Sequence, residues 1–207
     1  MLNFSNAIDL ICKYEGFNEK AYPDPCTGDA PFTIGYGTQY YPDGEAVSGE
    51  HRCTEEKALE YLNSEINLIN KDLDKLNLNI DESMREALVS FIHSIGWSPF
   101  LFTCISEHIE NEDWLEVATQ FSRWIFDCDH NVIGNLVDRR REEIKLFFSE
   151  LNDSAWGSTE ILLHAFRNYV ATPNQVRAIR KLEENIAPQI LADFGNEFDV
   201  NKGFWLD

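Results

Sequence analysis

The chain has 207 residues, 43% of them hydrophobic, including 14 Phe and 5 Trp. That is enough apolar material for a buried core and excludes a wholly disordered chain. A formal net charge of −19, from 17 Lys+Arg against 36 Asp+Glu, lacks the basic face that non-specific nucleic-acid binding or adhesion to anionic membranes requires.

The acidity is concentrated in residues 1–150, which hold 12 Lys+Arg and 28 Asp+Glu. The five cysteines, Cys12, Cys26, Cys53, Cys104 and Cys128, are widely spaced and form no C-x-x-C. They read as small buried or surface thiols, with one or two disulfides expected outside a reducing compartment. The first residues carry no basic start and no long apolar run, so neither a signal peptide nor a membrane span is expected.

Phe4, Ala7, Ile8 and Ile11 follow helical i, i+3, i+4, i+7 spacing, which predicts a helix ending near Gly16 with Glu15 at its last turn. Prolines and glycines then punctuate residues 21–44. The pieces between them, 32–34 and 39–41, read as a small antiparallel sheet. Thr54 suits a helix N-cap, with Glu55 and Glu56 in the first turn. Ala58, Leu62, Ile66, Ile69, Leu73 and Leu76 continue it as a long helix of about six turns.

From Asp81 the pattern is helical. Met84, Ala87, Leu88, Phe91 and Ile95 make one stripe, Gly96 ends it, and Pro99 suits the first position of another helix. Trp114, Val117, Ala118, Phe121 and Trp124 form a further stripe, and another begins after Gly134. Past a boundary at residues 152–157, residues 161–170 read as helix, and Thr172-Pro173-Asn174-Gln175 as the capped start of the next. The class is α+β and mainly helical. Residues 1–150 are expected to form one domain and 151–207 a C-terminal helical extension.

Glu15 at a helix end, with Asp24 and Thr33 in the segment that folds back, suits hydrolysis of a glycosidic bond. One carboxyl must hold its proton for the leaving oxygen, and the other must stay ionised to activate water. A hydroxyl such as Thr33 can hold that water. Among 36 acidic residues, composition alone does not select this pair.

The wording around these residues is more specific. Glu15-Gly16-Phe17, Ala21-Tyr22-Pro23-Asp24 and Thr33-Ile34-Gly35-Tyr36-Gly37-Thr38 resemble the phage-type lysozymes, the T4 lysozyme family (glycoside hydrolase family 24). Eight residues separate Glu15 from Asp24, as in that family. Further blocks follow in family order: Ala87 to Phe91 with Gly96, Phe121 with Trp124, and Leu136-Val137-Asp138-Arg139-Arg140 through Phe147. The resemblance covers residues 4–150. It implies a lysozyme-like fold in which a long helix joins a small antiparallel β lobe to a helical lobe. It also implies hydrolysis, with inversion, of the β-1,4 bond of bacterial peptidoglycan.

By this resemblance Glu15 is the general acid, Asp24 the second carboxylate, and Thr33 the residue that holds the water. Arg139, with Arg140 beside it, is expected to approach the catalytic glutamate. The competing reading is a solvated helix face pairing with Glu142 and Glu143. Ser94, where the family often has a substrate-facing Asn, and Tyr36 are expected to meet substrate. His93 reads as a packed or surface histidine. No metal or cofactor is expected, because the chain has no phosphate-binding glycine loop and no His/Cys cluster at ligand spacing.

Three features depart from the family pattern. Eight residues separate Asp24 from Thr33 where the family usually has five, which leaves Asp29 as the alternative second carboxylate. Asp129-His130 and Asn135 stand where glycines usually precede the arginine block. The strong acidity opposes encounter with an anionic wall. The expected partner is the peptidoglycan glycan strand, with a further protein partner open for residues 151–207. An endolysin made in the bacterial cytoplasm is the leading reading. A tail-borne or secreted wall-piercing lysozyme and a non-catalytic protein of the same fold are its alternatives.

Overall fold

The computed structural model describes residues 4–128 and 130–150, together with the backbone of residues 198–199 and 204–205. The chain divides into two compact units, Met1–Phe102 and Thr103–Asp207.

The first unit opens with helix α1, Ser5–Glu15, whose Ala7 and Ile11 are fully buried. Its N-cap, Phe4, supplies no side-chain hydrogen bond. Glu86, from a later helix, takes that role. Glu86 Oε2 accepts the Ala7 N–H at 2.9 Å, and its Oε1 accepts the Asn6 side-chain amide at 2.8 Å. A buried carboxylate is well matched to the unpaired amides and positive end of a helix N-terminus. The far end stops at Gly16, whose N–H bonds to the Cys12 carbonyl, so Glu15 occupies the last turn.

Strands β1, Asn18–Pro23, and β2, Phe32–Gly35, pair antiparallel, with Tyr22 opposite Thr33 and Pro23 opposite Phe32. The piece expected as a strand at residues 39–41 is reduced to a bridge between Tyr40 and Ala46. The chain turns back there at once, with the Gly44 N–H on the Tyr41 carbonyl.

Helix α2, Glu55–Lys75, underlies the sheet. A Cβ on Gly35 would lie 2.8 Å from the Ala58 Cβ, so only glycine lets β2 rest on the helix. Thr54 Oγ1 accepts the Lys57 N–H, as predicted, and Ala58, Leu62, Ile66 and Leu73 are no more than 1% exposed. The 21 residues of α2 span about 31 Å at 1.5 Å per residue.

Helix α3, Glu82–Ile95, is capped by Asp81, which accepts the Met84 N–H at 2.8 Å. From Met84 to Ile92 every residue but Arg85 is buried, so α3 is the centre of this unit. Each large apolar side chain so buried contributes about 1.5–3 kcal/mol. Helix α4, Trp97–Leu101, begins two residues before the expected start. Pro99 is tolerated as its third residue because the first four helical amides have no intrahelical partner.

The second unit contains α5, Ile105–Glu110, α6, Trp114–Ser122, and α7, Gly134–Phe147. Val117, Ala118 and Phe121 of α6 are fully buried, as are Ile144 and Phe147 of α7. Phe121 and Phe147 meet edge to face at 5.8 Å between ring centres. Trp124 lies beyond the end of α6 and is half-buried. Strands β3, Phe198–Asp199, and β4, Phe204–Trp205, form a short antiparallel hairpin in a region where only helices were expected. The helices expected over 161–170 and from Thr172 lie outside the described residues.

No helix among the described residues is long and apolar enough to cross a membrane.

Candidate active site

Glu15 is delivered by the end of α1. Its side chain is 25% exposed, and the carbonyl end of the helix opposes added negative charge there. The turn after β2 packs directly on it. A Cβ on Gly37 would meet the Glu15 Cδ at 3.5 Å and the His93 Cε1 at 2.9 Å. Gly37 also holds a φ of 102°, far into the region that side chains avoid. Both facts make glycine necessary where the turn meets the carboxyl.

Thr33 is buried on β2, directly opposite Tyr22 on β1, and opposed residues share one face of a sheet. The Tyr22 phenol is pushed above its ordinary range by burial and then by the charge of Glu15, while a hydrogen bond with Thr33 pulls the other way. Glu15, Tyr22 and Thr33 therefore form one neighbourhood. Tyr22 had been given no role, although its pairing with Thr33 follows from strand register.

Asp24 begins the longer turn. Its Oδ1 accepts the Cys26 N–H at 2.7 Å and the Thr27 N–H at 3.0 Å, a side-chain turn typical of aspartate. Its own N–H bonds to the Asp29 and Pro31 carbonyls. The extra residues are thus folded into a hydrogen-bonded turn that fixes the carboxylate's orientation. Asp29, the alternative, is exposed in that turn. Cys26 is disulfide-bonded, and Cys12, Cys53 and Cys104 are free thiols.

Beside this neighbourhood lies a cleft of about 520 Å³. Its walls are Gly37, Tyr40, Tyr41 and Gly44 of the turn, Tyr61, Ser64, Glu65 and Leu68 of α2, and His93 to Gly96 at the end of α3. Ser94 lines it, where substrate contact was expected. Tyr40, Tyr41 and Tyr61 give it aromatic walls, and sugars stack well on such surfaces. Glu15, Asp24 and Thr33 are outside its lining, whereas Gly37 and His93 bound it and also approach Glu15.

Tyr36 points elsewhere. It is 6% exposed, and its hydroxyl donates to Glu55 Oε1 at 2.7 Å. That bond, followed by burial, holds the phenol far above its ordinary range. The group serves packing between the sheet and α2. Arg139 and Arg140, in the second unit, do not form a solvated face. They are 2% and 0% exposed, and both meet the fully buried Glu143, at 3.1 Å and 3.0 Å.

His93 is the residue whose surroundings were least legible. Its side chain is 4% exposed and lies between two carboxylates, with Nδ1 3.7 Å from Glu15 Oε1 and Nε2 3.2 Å from Glu65 Oε2. Neither contact has the geometry of a full hydrogen bond, so the pairing is chiefly electrostatic. Burial draws the imidazole down, but the two carboxylates outweigh it and its pKa is raised. No group of three or more His, Cys, Asp or Glu among the described residues is placed to hold a metal ion.

The family model described as phage lysozyme matches residues 12–143. The endolysin of Bacillus phage PZA is 31% identical over 143 residues, which are 69% of this chain and 53% of that protein. The chain thus spans about half the length of that relative. The endolysin of Salmonella phage P22 is 30% identical over 146 residues, 70% of this chain and 97% of that protein. Among solved structures, the endolysin from Escherichia coli O157:H7 phage FAHEc1 superposes with a TM-score of 0.62. It is 23% identical, and the match covers 74% of this chain and 97% of that one, a likeness of fold.

Proposed function

The chain belongs to the phage lysozyme family, and from that premise we propose that it is an endolysin. It hydrolyses the β-1,4 bond between N-acetylmuramic acid and N-acetylglucosamine in bacterial peptidoglycan, and so acts on the cell wall. The observation that carries this reading is the placement of Glu15. It is a partly exposed carboxyl at a helix end, roofed by a glycine that no other residue can replace without strain, and faced by Thr33 and Tyr22.

In this reading Glu15 gives its proton to the leaving glycosidic oxygen. Asp24, with Oδ1 held by two amides, uses Oδ2 to take a proton from water. Thr33 holds that water, which attacks the opposite face of the sugar, and the product forms with inversion. Arg139 and Arg140 are held in the second unit by their buried pairing with Glu143. Ser94 meets substrate from the cleft.

The test is clearing of purified, outer-membrane-stripped walls by the wild type beside Glu15→Gln, across a salt series. The amide has no proton to donate. Loss of a general acid lowers the rate by about 10²–10⁴-fold. Equal clearing by both proteins would sink the role given to Glu15, and no clearing by the wild type at any salt would sink the reading as a whole.

A further inference from the structure

We propose that His93, seated on Glu65, is a positioning residue for Glu15: its ring lies between the two carboxylates, and its Nδ1 faces Glu15 Oε1. The inference rests on the assignment of Glu15 as the general acid and adds the group that acts behind it.

The placement is hard to explain by packing. His93 follows Phe91 and Ile92, both at most 1% exposed, on the central helix. An apolar side chain could fill the same space. Burying a polar ring is costly unless its nitrogens are paired, and here each nitrogen faces a carboxylate. The charged groups facing the ring are Glu15 from the end of α1 and Glu65 from α2. The β-lobe turn packs on it through Gly37.

The chemistry follows from this arrangement. With a proton on each nitrogen, Nε2–H points to the Glu65 carboxylate and Nδ1–H to Glu15 Oε1. Glu65 neutralises the imidazolium, so Glu15 can remain a neutral acid before reaction. Oε1 is held from behind, and the proton sits on Oε2, the oxygen that gives it to the glycosidic oxygen. When that proton leaves, negative charge develops on Glu15 beside a cation already in place. A preorganised charge aimed at a developing one is among the strongest catalytic effects. The distance of 3.7 Å is that of the free enzyme, where catalytic contacts are commonly long and tighten with substrate. Glu65 also lines the cleft, so the pair reaches from the cleft wall to Glu15.

The test has two arms on the full chain. First, the His93 titration is followed by NMR of the ¹⁵N-labelled imidazole in the wild type, Glu15→Gln and Glu65→Gln. The midpoint should fall in each variant, because over the pH range in which the ring loses its proton Glu15 has already lost its own, and each variant then removes one carboxylate that favours the cation. Second, kcat and KM on soluble glycan fragments are measured against pH for the wild type and His93→Gln. The glutamine amide fills the site and can donate to Glu15 but carries no charge. We expect kcat to fall about tenfold with KM changed less than about twofold, and the alkaline limb, where Glu15 loses its proton, to move to higher pH once the neighbouring cation is gone. Glu65→Gln keeps the ring and guards against a folding defect in His93→Gln. A midpoint unmoved in Glu15→Gln, or a His93→Gln enzyme with wild-type kcat and pH profile, overturns the proposal. An inactive wild type would instead overturn the endolysin reading, and the NMR arm would still decide whether His93 and Glu15 are coupled.

Discussion

Gly37→Ala is the most direct probe of the site's geometry. The new methyl would lie 2.9 Å from the His93 Cε1 and 3.5 Å from the Glu15 Cδ, at a φ of 102°. A side chain held in such backbone costs about 1–3 kcal/mol. The steric term adds to this, because His93 is packed between Glu15 and Glu65 and has little room to retreat. A total of about 2–4 kcal/mol follows, or a fall in Tm of roughly 4–16 °C for a chain of 207 residues. The effect on catalysis should be larger than on stability. Displacing an acid by even about 1 Å can cost 10²-fold in rate. Thermal unfolding and wall clearing at 25 °C, where the variant remains folded, separate the two effects. A Gly37→Ala protein with unchanged Tm and full kcat would refute the claim that the turn, His93 and Glu15 are in close contact.

Glu86→Ala should destabilise the protein by about 2–4 kcal/mol, read from urea unfolding, since it strips a buried acceptor from the Ala7 amide and leaves a cavity. Hydrogen exchange in α1 should accelerate more than in α2. Asp24→Asn should abolish most clearing while Asp29→Asn leaves it nearly intact; the reverse order would move the second carboxylate to Asp29. The raised His93 pKa predicts a pH-dependent stability. The folded state holds this proton more tightly than the unfolded chain, whose ordinary value is 6.5. The stabilisation is therefore complete below that value and is lost as pH rises through the folded one. Urea midpoints at about pH 5.5 and about pH 9 should fall further in the wild type than in His93→Gln, and identical falls would show that the histidine contributes nothing.

The periodic parts of the chain were readable because local chemistry and burial agree. Thr54 and Asp81 cap the helices they precede, and Ala58, Leu62 and Ile66 face the core as their spacing requires. Glu15 and Thr33 were singled out through their motifs. Sequence pattern does not show that Arg139, Arg140 and Tyr36 are buried. It cannot register a buried carboxylate such as Glu143, or Glu55 arriving from another element. The N-terminal cap of α1 was invisible for the same reason, since Glu86 lies 79 residues from Ala7. His93 was read as a packed or surface histidine; it is packed, but the partners that give it meaning come from two other helices.

Charge acts in this protein on two scales that respond differently to salt. The excess of 19 negative charges acts on approach to an anionic wall, over distances that physiological salt screens within about 8 Å. The Glu15–His93–Glu65 contacts lie within 3.7 Å and around a ring that is 4% exposed. Mobile ions do not enter such a space, and its interactions keep their strength. Raising salt should therefore speed encounter while leaving the proton transfer as it is. The chemistry proposed for Glu15 loses nothing to the acidic surface. In the proposed endolysin the surface charge sets the ionic conditions under which the wall is reached, and the enclosed imidazole positions Glu15.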